Sequence, residues 1–274
     1  MKSLGRFGFI LGLVLMLAVP ISAKRCLMQE ESGSGAGRIS GGGLPGERAW
    51  IARYPLPATG NVSVENVQGN ILVEGWDRAE VEVAISKRAL GGTANPDDVH
   101  IDVANDGRNL TLRTIYPSQS EDAVRVDYRL RVPRQVRLDH LRTVEGSIRV
   151  RDIEGSVDAR TLNGSIENLN VTGQVSARAI NGNIAVSLRA LPEGSAPVQM
   201  ETVNGHLFLT LPSEANADLQ MRTVAGRVES GYALTVSEIP GDSSMRTRLG
   251  RGGNQIRLRT IRGNIYVTET DELL

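Results

Sequence analysis

The sequence predicts an all-β chain, solenoid-like in its middle, with coils of about 18 residues stacked on one another behind a more irregular β region; an antiparallel β meander or sandwich is the alternative. Three observations lead there. Short runs of Val, Ile and Leu alternate with polar residues, the period of half-buried strands. Glycine is abundant at 30 residues and aromatics are only 4%, so turns are many and the core must be aliphatic. Gly146, Gly155, Gly164, Gly173 and Gly182 stand nine residues apart.

The N-terminus reads as a secretory signal peptide over residues 1–23. Lys2 and Arg6 precede an apolar run from Phe7 to Val19, then Pro20 and the small-residue site Ile21-Ser22-Ala23. That run is short for a membrane span, so no span is expected once the signal is removed. Retention as an anchor and lipidation at Cys26 are the other readings, the latter opposed by Lys24 and Arg25 just before the cysteine. Residues 24–49 have linker composition, with Ser32-Gly33-Ser34-Gly35 and Gly41-Gly42-Gly43, and no packed structure is expected up to about Arg48. The β-strand-repeat domain then occupies 50–274, beginning near Trp50.

From about 50 to 140 the period of two recurs, in Val62-Ser63-Val64, Ile71-Leu72-Val73, Val81 to Ile85, Leu110 to Leu112 and Val124 to Val132. Asn105-Asp106-Gly107 is a hairpin turn. The nine-residue glycines follow, with an aliphatic residue two positions after each (Ile148, Val157, Ile166, Val175, Ile184) and another two before each (Val144, Ile153, Leu162, Val171, Ile180). Both sets are expected to form core columns. Pentads repeat more closely at 18 residues, as in Arg160-Thr161-Leu162-Asn163-Gly164 and Arg178-Ala179-Ile180-Asn181-Gly182, and return near Gly205, Gly226 and Gly263. Nine residues make a strand and a turn, and two such units bring the chain back to stack on itself at strand spacing, about 4.8 Å. Asn-Gly closing antiparallel hairpins is the rival geometry.

Gly69-Asn70-Ile71-Leu72-Val73-Glu74-Gly75-Trp76-Asp77, Tyr128 to Pro133 and the recurring Thr-aliphatic-Asn-Gly pentads resemble the putative adhesin family, a domain of unknown function found in β-strand-repeat envelope proteins. The resemblance spans roughly residues 58–270. It implies a right-handed β-solenoid-like fold at the cell surface or in the periplasm, and it carries no catalytic or ligand residues to transfer.

Chemistry-bearing patterns are sparse. Lys+Arg and Asp+Glu both number 31, which argues against a nucleic-acid partner. A calcium roll needs a carboxylate at one phase of every repeat, and Asp152 and Asp158 fall at different phases. His100, His140 and His206 are scattered, so neither a metal nor another cofactor is expected. Asp139 and His140 are neighbours, which on a regular strand point to opposite faces. No nucleophile elbow, phosphate loop or dinucleotide fingerprint is present. The expectation is an exported, non-enzymatic binding, adhesion or scaffold module with an unidentified envelope polymer or protein as partner. A polysaccharide-active β-helix enzyme and an envelope-stress sensor are the alternatives. One pattern points to a ligand: Arg142, Arg160, Arg178, Arg222 and Arg259 share a phase of the pentad, and stacking would align them into a stripe able to meet a polyanion. The bland reading is a solvated face balanced by Glu145, Glu154 and Glu167.

Overall fold

The computed structural model describes residues 25–26, 47–91, 94–117, 124–191, 197–232, 237–238 and 244–270. The signal peptide expected over 1–23 lies outside the described residues. So does most of the expected linker.

Strands account for the fold, and no α-helix occurs among the described residues. The N-terminal part contains β1 (Arg25–Cys26), β2 (Glu47–Pro55), β3 (Asn61–Glu65), β4 (Ile71–Trp76), β5 (Glu80–Ala89), β6 (His100–Asn105), β7 (Asn109–Ile115) and β8 (Val124–Pro133). The repeat supplies β9 (Arg137–Glu145), β10 (Ile148–Arg151), β11 (Val157–Asn163), β12 (Ile166–Val171), β13 (Val175–Asn181), β14 (Ile184–Leu188), β15 (Val198–Asn204) and β16 (Leu207–Leu211). Six more follow: β17 (Ala217–Ala225), β18 (Val228–Ser230), β19 (Ser237–Glu238), β20 (Ser244–Leu249), β21 (Asn254–Arg262) and β22 (Ile265–Glu269).

Among the described residues these strands form two large mixed sheets and no closed barrel. The twelve-stranded sheet runs β1-β6-β7-β3-β9-β11-β13-β15-β21-β17-β20-β19, and the ten-stranded sheet runs β18-β22-β16-β14-β12-β10-β4-β8-β5-β2. Each pentad glycine sits where the chain leaves one sheet for the other. Asn163-Gly164 therefore closes no hairpin, because β11 and β12 belong to different sheets. The repeat strands pair in parallel at an offset of 18: Ile148 beside Ile166 beside Ile184, and Val157 beside Val175. Tiers of one strand per sheet thus pile up from β7/β8 through β3/β4 and the repeat to β21/β22 and β17/β18.

Two features of this order are not visible in the repeat. The last tier in sequence, β21/β22, lies between β15/β16 and β17/β18, and β7/β8 lies outside β3/β4. Antiparallel strands flank the stack: β6 pairs with β7, β5 with β8 and β20 with β17. Within the expected linker, β1 pairs with β6, and β2 begins ahead of Trp50 because Glu47 to Ala49 continue the antiparallel ladder with β5. Asn105-Asp106-Gly107 is the turn of the β6–β7 hairpin, with Gly107 at φ +86°.

The core lies between the sheets, one continuous cluster of aliphatic side chains. Ile148, Val157, Ile166, Val175 and Ile184 are all buried, as expected. The second set divides. Ile153 and Val171 are buried, but Val144, Leu162 and Ile180 are 40–43% exposed. The two nine-residue halves are therefore not equivalent. Thr143, Thr161 and Ala179 already face inward on their strands, so alternation turns the next residue outward.

Threonine and glycine lock the tiers together. The hydroxyls of Thr161, Thr202, Thr260 and Thr223 donate to the carbonyls of Gly146, Gly182, Gly205 and Gly263, at 2.9, 2.9, 3.0 and 2.9 Å. An asparagine ladder runs beside them, Asn204 Nδ2 donating to Asn181 Oδ1 and Asn181 Nδ2 to Asn163 Oδ1, both at 2.8 Å.

Candidate functional site

The arginine stripe is built by strand register. Arg142, Arg160 and Arg178 are direct neighbours on β9, β11 and β13. Alternation with buried Leu141/Thr143, Ala159/Thr161 and Ala177/Ala179 sends all three guanidinium groups to the outer face of the twelve-stranded sheet. The line continues through Glu201 on β15 to Arg259 on β21 and Arg222 on β17. The five expected arginines do share one row, but Glu201 interrupts it.

Local partners partly offset the charge, and they are not the ones expected. Arg178 Nε donates to Glu201 Oε2 at 3.1 Å, and Arg160 Nη2 to Asp158 Oδ2 at 3.0 Å. Glu145, Glu154 and Glu167 instead meet Gln68, Arg189 and Arg149. Arg142 Nη2 donates to His140 Nδ1 at 3.0 Å, and that nitrogen lies 3.7 Å from Asp158 Oδ2. The Nε atoms of Arg142 and Arg160 are buried and make no hydrogen bond.

The expectation for Asp139 and His140 needs correcting. His140 has φ +59°, and the β9–β11 register slips between Leu138 and Leu141. This is a β-bulge, with two residues between consecutive inward leucines. Both Asp139 and His140 are thereby left outside the core, and His140 joins the head of the arginine row.

An aliphatic row borders the arginines. Val144, Leu162, Ile180, Ile261 and Val224 are exposed, Val224 by 65%. Where this border meets Val67, Thr114 and the stems of Arg142 and Arg160, it lines an open groove of about 480 Å³. Arginine stems and aliphatic side chains together give this face an amphipathic character.

Arginines next to the pentad ones, unmarked by the repeat, widen the basic face at its other end. Arg257 and Arg259 lie two apart on β21, and Arg246 and Arg248 two apart on β20, all exposed. Gln220 of β17 stands between Arg257 and Arg246. Asp218 neutralises Arg248 at 2.8 Å, a contact that holds the Asp218 carboxyl below its ordinary range, with help from the Gly253 N–H. Arg222, Arg246, Arg257 and Arg259 occupy three adjacent strands. The signal that could have found Arg246 and Arg257 is the Arg-x-Arg alternation of each strand, which puts both arginines of a pair on one face. It was hidden because β20 and β21 fall outside the regular repeat.

Among the described residues, no group of three or more His, Cys, Asp or Glu side chains is placed to hold a metal ion, and no helix is long and apolar enough to cross a membrane.

No protein-family model matches the chain, and no curated protein matches it. Solved structures similar to it include three with adhesion-related names. A putative cell adhesion protein from Clostridium sporogenes aligns at 12% identity and a TM-score of 0.44, over 83% of this chain and 100% of that one. A putative adhesin from Bacteroides fragilis aligns at 10% identity and 0.29, and one from Parabacteroides distasonis at 12% and 0.25. Each of these two covers 81% of this chain and 97% of its own.

Proposed function

We propose that the protein is an exported, non-enzymatic binding module of the bacterial envelope, in the periplasm or at the cell surface, whose arginine-lined face meets a polyanionic envelope polymer. The observation that carries this reading is the register that makes Arg142, Arg160 and Arg178 neighbours on successive strands. A row of guanidinium groups at regular spacing, about 4.8 Å from strand to strand, suits a ligand whose own charges repeat. The 18-residue parallel offset also supports a solenoid-like stack of coils, for which the family resemblance implies a right-handed course. Charged and polar groups on this face lie along an open surface rather than converging on a cleft, which favours a binder over a polysaccharide-cleaving enzyme.

Each arginine contact at this half-exposed face is weak, roughly 0–1 kcal/mol, so affinity must come from several acting together. The test is retention on a surface bearing a sulfated or phosphorylated glycan across a salt series. Retention should fall steeply with salt. Replacing Arg142, Arg160 and Arg178 together with Gln should abolish it while leaving the melting temperature nearly unchanged. No retention of the parent, or equal retention of the triple variant, would defeat the proposal. Export is tested separately: the native protein should begin at Lys24, and recovery of an intact N-terminus from the cytoplasm would contradict it.

A further inference from the structure

The outer face of the ten-stranded sheet carries a second feature, independent of the arginine row. Phe208 on β16 and Tyr266 on β22 are register neighbours, and their rings stack with centroids 5.0 Å apart and planes within 8°. His206 leans against both at 6.2 and 6.1 Å. The Tyr266 hydroxyl accepts from Asn264 Nδ2 at 2.8 Å, which fixes that ring. Phe208 is nevertheless 40% exposed. A large apolar ring on an outer sheet face, in a chain with few aromatics, serves no core.

On the side of Phe208 away from Tyr266, the neighbour on β14 is Ala185, and beyond Ala185 on β12 stands Glu167. A methyl group between two long side chains leaves a slot. Its walls are two strand spacings apart, about 9.6 Å between backbones. One wall is the free face of Phe208. The other is the Glu167 carboxylate, held in place by Arg149. Ser187 and Thr210, paired beside Ala185 and Phe208, add hydroxyls on the same face.

We propose that this slot binds a neutral pyranose ring of a saccharide chain. The flat C–H face of a pyranose packs on an aromatic ring, while its equatorial hydroxyls need acceptors and donors at the opposite rim. Phe208 supplies the first, and Glu167, Ser187 and Thr210 the second. The Glu167 charge is already balanced by Arg149, so an uncharged ligand suits the slot.

Saturation-transfer NMR on the full mature chain tests this, with neutral hexasaccharides of glucose, mannose and N-acetylglucosamine as probes. At least one should receive saturation on its ring C–H protons. The effect should persist in about 1 M salt, where the screening length is ~3 Å. Phe208→Ala should weaken binding about tenfold. Ala185→Leu, which fills the slot and leaves the ring stack intact, should weaken it similarly. Melting curves of both variants verify folding. No transfer to any probe, transfer lost in salt, or transfer unchanged in both variants would overturn the assignment.

Discussion

A β-carbon on Gly164 would sit 2.0 Å from the carbonyl oxygen of Gly146, and the backbone there holds φ at +150°. Two separate constraints thus require glycine, a conformation that side chains avoid and a backbone one tier away. Gly164→Val should therefore cost about 3 kcal/mol or more. Ser165→Val, at an exposed position, should cost less than about 0.5 kcal/mol. Denaturant titrations of the two variants check this, and equal midpoints would contradict the turn assignment. Two other residues break local order in ways that predict stabilisation. Ala179 occupies the threonine row between Thr161 and Thr202, so Ala179→Thr should let a hydroxyl reach the Gly164 carbonyl as its neighbours reach theirs. The expected gain is about 1 kcal/mol, read as a raised unfolding midpoint. Asn168 is fully buried between Val150 and Val186, and neither amide atom has a hydrogen-bond partner. Asn168→Val removes that unpaired amide and should stabilise by about 1–3 kcal/mol; a lowered midpoint would show that the amide has a hidden role.

At the scale of strands, β9 to β16 were legible because the 18-residue pentad records which residues stack, as the partners Ile148, Ile166 and Ile184 show. Exposure was less legible. Val144 and Leu162 look like core residues by composition and are outside, because strand phase rather than hydrophobicity decides the face. The bulge at His140 leaves only a faint trace in the sequence: one extra residue in β9 sets the inward Leu138 and Leu141 three apart, where their partners Val157 and Ala159 are two apart. In the N-terminal tiers, a buried chain of hydrogen bonds ties the sheets together. The Tyr128 hydroxyl on β8 meets Thr114 Oγ1 on β7 at 2.6 Å, and Thr114 donates to Asn66 Oδ1 at 2.9 Å. Burial pushes the Tyr128 phenol well above its ordinary range. The folded state therefore keeps it neutral while the unfolded chain ionises near ~10. Its contribution to stability is intact below about pH 10 and declines as pH rises beyond that value. Thermal melts between about pH 8 and pH 11 should show the loss, and Tyr128→Phe should lessen it. Tyr232, pushed up to about 12 mainly by burial, leaves some loss in that variant.

Over the whole molecule, the chain does not simply wind from one end to the other. The β21/β22 tier slots inside β17/β18, a long-range order that no local repeat encodes. Among the described residues antiparallel strands flank three of the stack's four sheet ends, and the fourth is the parallel strand β18. Such flanking shields parallel sheet edges from adding further strands. The same threading places Arg257 and Arg259 beside Arg222, so it completes the basic face as well as the fold. Zero net charge concealed this face, since the distribution of charge matters to a polymer ligand more than its total. From Arg142 to Arg222 the row crosses six adjacent strands, a span of about 24 Å. The central claim is that these arginines act on one polymer together. Binding of inorganic polyphosphate chains of graded length tests it most directly. Affinity should climb with length until a chain covers the row and then level off, and replacing Arg142, Arg160, Arg178, Arg222 and Arg259 with Gln should flatten the climb. Affinity independent of length, or a climb that survives in the five-arginine variant, would contradict the account.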